Sequence, residues 1–198
     1  MLLVTAAATC ARRSMYAPMA LHSRRLSSVS AKARQILRTE KKENVQLICM
    51  SNPKRLNAWT IPMLETIFAE LDAAQDDDDV HAVVLAGECH HDYYCAGADL
   101  GGLLKPMAPR KLVDTVRKSN EALFNKFLEF PKPIVCAVNG HAIGASVTSA
   151  ALCDGIVAME GSSFSTPFHR LGIAAEGCST VNFPRIMGSE NAERMLGA

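Results

Sequence analysis

From Asn44 onward the chain alternates short apolar runs with longer stretches of helical apolar spacing. "NVQLICM" (44–50), "VHAVVLAG" (80–87), "IVCAVNG" (134–140) and "GIVAM" (155–159) read as strands, because each is a short, β-branched-rich run bounded by turn residues. Between them, Ile61, Leu64, Ile67, Phe68 and Leu71 recur at the helical period, with Thr60 placed to cap the start and Pro62 inside the first turn. The "DDDD" run at 76–79 ends that helix as a solvated turn, since four adjacent carboxylates repel one another. "AGADLGGLL" reads as a short helical segment that Asp99 could cap. A long helix follows from about Arg110 to Phe130, with Leu112, Val113, Val116, Leu123, Phe124 and Phe127 on its apolar face, until "PKP" stops it. "ASVTSAALC" (145–153) reads as a helix of small residues, and helical turns run over Ser179–Met187 and from Ser189 onward. The alternating order predicts an α/β fold with crossover connections.

The first 39 residues break this pattern. They hold Arg12, Arg13, Arg24, Arg25, Lys32, Arg34 and Arg38 with no acid before Glu40, and "ARRSMYAPMALHSRRLSSVS" has the Arg- and Ser-rich, acid-poor composition of an organellar transit peptide. Residues 1–40 are therefore expected to be a targeting peptide and basic arm, and 41–198 the folded domain, with mitochondrial delivery expected and the peroxisome or another organelle as the alternative. Cleavage near Ser30 would remove four Arg, so that 21 basic and 20 acidic residues become 17 and 20, turning the net charge from +1 to −3. That balance gives no case for nucleic acid. No apolar run reaches the roughly 20 residues of a membrane span. A 48% hydrophobic content suffices for one sizeable core, so a small molecule is the expected partner.

Seven cysteines, at 10, 49, 89, 95, 136, 153 and 178, occur without secretory context and read as reduced, mostly buried thiols. "CHHDYYC" (89–95) offers metal-type ligands, but adjacent ligands fit no common zinc pattern, so it reads as a polar loop with no metal.

Two glycine turns lead into helices, "CAGADL" and "NGHAIGAS". Gly97 and Gly144 allow sharp turns that aim the next amides, those of Ala98 and Ala145, outward; two such N–H groups converging would hold an oxyanion. The third unusual stretch is "LGIAAEGCST", where Glu176 is a lone carboxylate among small apolar residues. Taken alone, it fits a capping or surface role as well as a catalytic one.

Together, "NPKRLNAW", "CAGADL", "KPIVCAVNGHAIGASVTSAALCD" and "FSTPFHRLGIAAEGCST" closely resemble the crotonase (enoyl-CoA hydratase/isomerase) superfamily, over about Asn44 to Ala198. The resemblance implies a spiral of β-β-α turns, association as trimers or hexamers, and acyl-CoA thioesters as ligands. It implies the Ala98 and Ala145 amides as the oxyanion hole, and no cofactor beyond the coenzyme A carried by the substrate. Lys54, Arg55, Leu56, Gly97, Asp99, Gly144 and Phe168 are the candidate substrate-binding residues. The two positions matching hydratase glutamates hold Thr148 and Phe168, neither able to move a proton there. "TPFHRLGIAAEG" is instead similar to Δ3,Δ2-enoyl-CoA isomerases of the peroxisomal type, whose single glutamate matches Glu176. Isomerisation in the β-oxidation of unsaturated fatty acids is thus the expected function. The alternatives are a non-catalytic acyl-CoA-binding or interaction module and another crotonase reaction, such as thioester hydrolysis or hydration. The chain ends at "RMLGA", where members of the superfamily continue into further helices, so the domain is expected to be incomplete at that end.

Overall fold

Two sheets organise the fold seen in the computed structural model, which describes residues 2–4, 36–88, 92–103 and 106–197. The larger contains β1 (Leu2–Val4), β2 (Leu37–Lys42), β3 (Val45–Met50), β4 (Ala82–Gly87), β6 (Ile134–Val138) and β8 (Gly155–Ala158), ordered β1-β8-β6-β4-β3-β2. Its β3, β4, β6 and β8 run parallel, whereas β1 and β2 pair antiparallel at the two edges. The smaller sheet is parallel and built from β5 (Tyr93–Cys95), β7 (His141–Ile143) and β9 (Phe164–Ser165), ordered β5-β7-β9.

From β4 onward each turn of the chain contributes one strand to each sheet and then one or more helices. β4 and β5 lead to α2 (Leu100–Leu103) and α3 (Pro109–Leu128), β6 and β7 to α4 (Ala145–Ala150), and β8 and β9 to α5 (Phe168–Leu171). The helices α6 (Ser179–Met187) and α7 (Ser189–Gly197) follow, and α1 (Ile61–Asp76) packs near the first strands. This is the β-β-α repetition that the resemblance implies.

The structure differs from the sequence expectation in several places. Tyr93–Cys95, read as part of a polar loop, forms β5, and the glycine turn before α4 contains β7. β2 crosses the residue-40 junction, so ladder pairing starts at Leu37. The buried stripe of α1 is Met63, Ile67, Leu71 and Ala74, and Ile61 stays 48% exposed. Thr60 does cap that helix, its side chain accepting from the Met63 N–H. On α3 only Leu123, Phe124 and Phe127 enter the core, while Val113 and Val116 are exposed, so the buried stripe is confined to the C-terminal part of the helix. α4 ends at Ala150 and not Cys153.

The core is continuous from Leu37 on β2 to Ala192 on α7. At its centre Trp59 is fully buried, stacks on Phe127 at 6.2 Å and points its Nε1–H at Met50 Sδ. Burial of one such ring contributes about 3 kcal/mol, which fixes the end of the 51–59 loop beside the sheets. The targeting segment expected over residues 1–40 lies mostly outside the described residues, as do Cys10 and the Cys89, His90 and His91 ligand candidates. Among the described residues no group of three metal-type side chains stands together, and no helix is long and apolar enough to cross a membrane.

Candidate active site

The loop of residues 51–59 is bound edge to edge to the turn at 96–99. Ala96 N–H donates to Leu56 O, Trp59 N–H to Gly97 O and Asp99 N–H to Trp59 O, at 3.0, 2.7 and 3.2 Å. Asn57, fully buried in the left-handed conformation (φ 56°), accepts from Asn52 N–H and donates to Tyr94 O, pinning the loop at both ends. Because Gly97 O and Asp99 N–H both face Trp59, the intervening Ala98 N–H faces the other way.

That direction leads to α4. Gly97 adopts φ +83°, and a Cβ placed on it would lie 2.4 Å from Ile143 O and 3.6 Å from Ala145 N, so the two glycine turns touch and no side chain fits between them. Ser146, fully buried at the start of α4, locks the contact. Its hydroxyl lies 3.1 Å from Cys95 O, 3.0 Å from Ile143 O and 3.1 Å from Ile143 N. Among the described residues neither the Ala98 nor the Ala145 amide has an acceptor.

Glu176 reaches the same region through its neighbour. Gly177, at φ +59°, packs so tightly that a Cβ would lie 2.7 Å from both Phe124 and Thr148. Thr148 is one turn into α4 and donates its hydroxyl to Ala145 O at 3.1 Å. The Glu176 loop therefore rests on the helix that begins with the free Ala145 amide. The carboxylate is half-buried and accepts a 2.9 Å hydrogen bond from Asn120 Nδ2 on α3. Burial raises its pKa above the ordinary glutamate value, and the Asn120 bond opposes part of that rise.

The remaining candidates divide. Arg55 and Asp99 pair at 3.4 Å across the rim of the turn, with Leu56 39% exposed beside them. Lys54 lies on the same rim, in the 3-10 turn Pro53–Arg55. Phe168 is buried in α5 but stands apart from the main apolar cluster, while His169 and Arg170 are exposed. Asn120 escaped sequence reasoning: it lies 56 residues from Glu176, in a polar part of α3. Its one sequence signal was the helical register, which sets it four residues before Phe124 on the same face.

This arrangement can hold a carbonyl oxygen between two free amides and offer one carboxylate as a base nearby. A family model described as enoyl-CoA hydratase/isomerase matches residues 40–198. The chain is 37% identical over 158 residues to human enoyl-CoA delta isomerase 2, covering 78% of this chain and 39% of that protein. It is 36% identical over 155 residues to mouse enoyl-CoA delta isomerase 3, peroxisomal, covering 78% and 48%. With the 2,3-dehydroadipyl-CoA hydratase of Escherichia coli (strain K12) it shares 32% over 156 residues, covering 79% and 59%. A solved structure, the putative enoyl-CoA hydratase/carnithine racemase from Magnetospirillum magneticum AMB-1, superposes with a TM-score of 0.69 at 29% identity, covering 82% of this chain and 61% of that one. The chain thus spans less than two thirds of each of these proteins. With the family model matching most of its length and the β-β-α spiral in place, the chain belongs to the enoyl-CoA hydratase/isomerase, or crotonase, family.

Proposed function

We propose that the chain is a Δ3,Δ2-enoyl-CoA isomerase, which moves the double bond of a 3-enoyl thioester to the 2-trans position during oxidation of unsaturated fatty acids. The observation that carries this reading is that Glu176 rests by α4 while the hydratase positions hold Thr148 and Phe168, both buried and neither a carboxylate. Hydration divides its proton work between two carboxylates, whereas a double-bond shift needs one base that takes a proton and gives it back.

In a 3-enoyl thioester the C2 protons are acidified by both the carbonyl and the alkene. Glu176 removes one; the electron pair moves into the C2–C3 region and onto the thioester oxygen as a dienolate. The Ala98 and Ala145 N–H groups bind that oxyanion, unpaired beforehand and therefore free of any reorganisation cost. The dienolate recovers the same proton at C4 and Glu176 returns to its carboxylate. Atoms and oxidation state balance within the substrate, so the chemistry calls on no redox cofactor and no metal. Lys54, Arg55, Leu56 and Asp99 rim the entrance where the coenzyme A portion binds, and Phe168 belongs to the acyl side. Assembly as a homotrimer or hexamer, and mitochondrial delivery by the N-terminal segment with the peroxisome as the alternative, complete the proposal.

The test is direct. Purified protein mixed with 3-enoyl-CoA should form the conjugated 2-enoyl thioester and leave 2-enoyl-CoA unhydrated. Tight acyl-CoA binding without conversion would replace this reading with that of a binding module, and hydration would replace it with another crotonase reaction.

A further inference from the structure

A group of buried side chains that the proposed isomerisation does not use lies beside α4. Cys136, in the middle of β6, and Cys153, three residues beyond the end of α4, bring their sulfurs to 3.5 Å. Tyr94 of β5 is fully buried and hydrogen-bonds the Cys136 sulfur, and Cys153 Sγ donates to Ser149 O at 3.4 Å. A disulfide needs the sulfurs at about 2.05 Å, a closure of roughly 1.5 Å. Cys153 lies in the turn between α4 and β8, outside the regular ladder of either element, and there a side-chain rotation with a small backbone shift can supply that movement.

We propose that Cys136 and Cys153 are an internal dithiol that a peroxide closes to a disulfide, tying the segment after α4 to β6. Cys153 is the more accessible of the two, 9% exposed against 1% for Cys136. Hydrogen peroxide oxidises the Cys153 thiol to a sulfenic acid, with one water released. The Cys136 sulfur then attacks the Cys153 sulfur; the S–S bond forms, the S–O bond breaks, and the oxygen leaves as a second water with the Cys136 proton. Two thiols are oxidised and one peroxide is reduced to two waters.

The surroundings favour this order. The Cys136 thiol points at Cys153 Sγ across 3.5 Å, so it already faces the sulfur it is to attack, and its hydrogen bonds with Cys153 and Tyr94 lower its pKa against the opposing effect of burial. Burial pushes the nearby Cys95 thiol up to about 12 and leaves it a poor competitor. The tie would act on α4, the helix that starts at the Ala145 amide and whose Thr148 supports Gly177, so it would fasten the element on which both halves of the site rest.

The test reads sulfur chemistry and does not depend on the isomerase reading. The folded full-length protein is exposed to a few equivalents of hydrogen peroxide, then denatured, alkylated with iodoacetamide, digested and analysed by mass spectrometry. The proposal expects a cross-linked peptide pair containing unalkylated Cys136 and Cys153, two hydrogens lighter than the two peptides together, that dithiothreitol separates. In Cys153→Ser, Cys136 should remain fully alkylatable after the same treatment. Alkylation of both Cys136 and Cys153 in the treated wild-type protein, or linkage of Cys136 to Cys95 instead, would overturn it, and the wild-type result decides even if the variant does not fold.

Discussion

Glu176 combines two opposing influences: partial burial that disfavours its charge and an amide that accommodates it. A base must be deprotonated to work, so turnover should be present above its raised pKa and lost as pH falls through it, at higher pH than for a free glutamate near 4.3. Asn120 is a positioning residue in this account. Asn120→Leu removes the bond that lowers the pKa, so the acidic limb of the pH–rate profile should move further up; an unmoved limb with unchanged turnover would separate Asn120 from the base. In the sequence Glu176 was conspicuous because a carboxylate in "GIAAEGCST" lacks company, but Asn120 was not, since the contact depends on how α3 crosses the loop. Gly97 was legible as a turn residue, yet the reason for it, Ile143 O standing 2.4 Å from any Cβ, comes from a strand 46 residues away.

At the scale of elements, α4 is the shared support. It presents the Ala145 amide at its first position, a place where proline fits a helix because that N–H has no intrahelical acceptor. Ala145→Pro should therefore leave α4 folded and reduce isomerisation about 10²- to 10³-fold, the loss typical of one oxyanion donor. Near-normal turnover in a folded variant, checked by circular dichroism, would remove that amide from the mechanism. Ser146→Ala should destabilise by about 1 kcal/mol in urea titration, because its hydroxyl bonds tie β5 to the helix start. α1, α3 and the four parallel strands were legible from periodicity and turn residues. The strands of the small sheet were not, since two or three residues are too few to display a period of 2. The apolar stripe of α3 is shorter than its spacing suggests: Val113 and Val116 keep the helical period but are exposed, and a period alone does not say what covers a face.

At the scale of the whole molecule, the first core residue among the described ones is Leu37, so the role of the segment before it can be tested by deletion. Deletion of residues 1–30 removes β1 from the sheet edge and leaves every core side chain from Leu37 to Ala192 in the chain. Delivery to the organelle should be abolished in cell imaging while the thermal unfolding transition stays cooperative. Unchanged delivery would reject the targeting role. The crotonase spiral itself could not be derived from the strand and helix pattern, which specifies alternating α/β units but not the second sheet; it was legible only through the four motifs together. The convergence of Gly97 on Ala145 is a tertiary fact of the same kind, created when successive turns of the spiral stack.

In the proposed mechanism one carboxylate carries the proton from C2 to C4. Glu176→Gln preserves size and hydrogen-bonding reach while removing the ability to accept a proton at neutral pH. Its 3-enoyl- to 2-enoyl-CoA conversion and its exchange of substrate C2 protons in heavy water should be measured against the wild type, with acyl-CoA affinity recorded alongside. Affinity should stay close to wild type, with both conversion and exchange reduced about 10²- to 10⁴-fold or more. A folded Glu176→Gln protein that isomerises at the wild-type rate would contradict it.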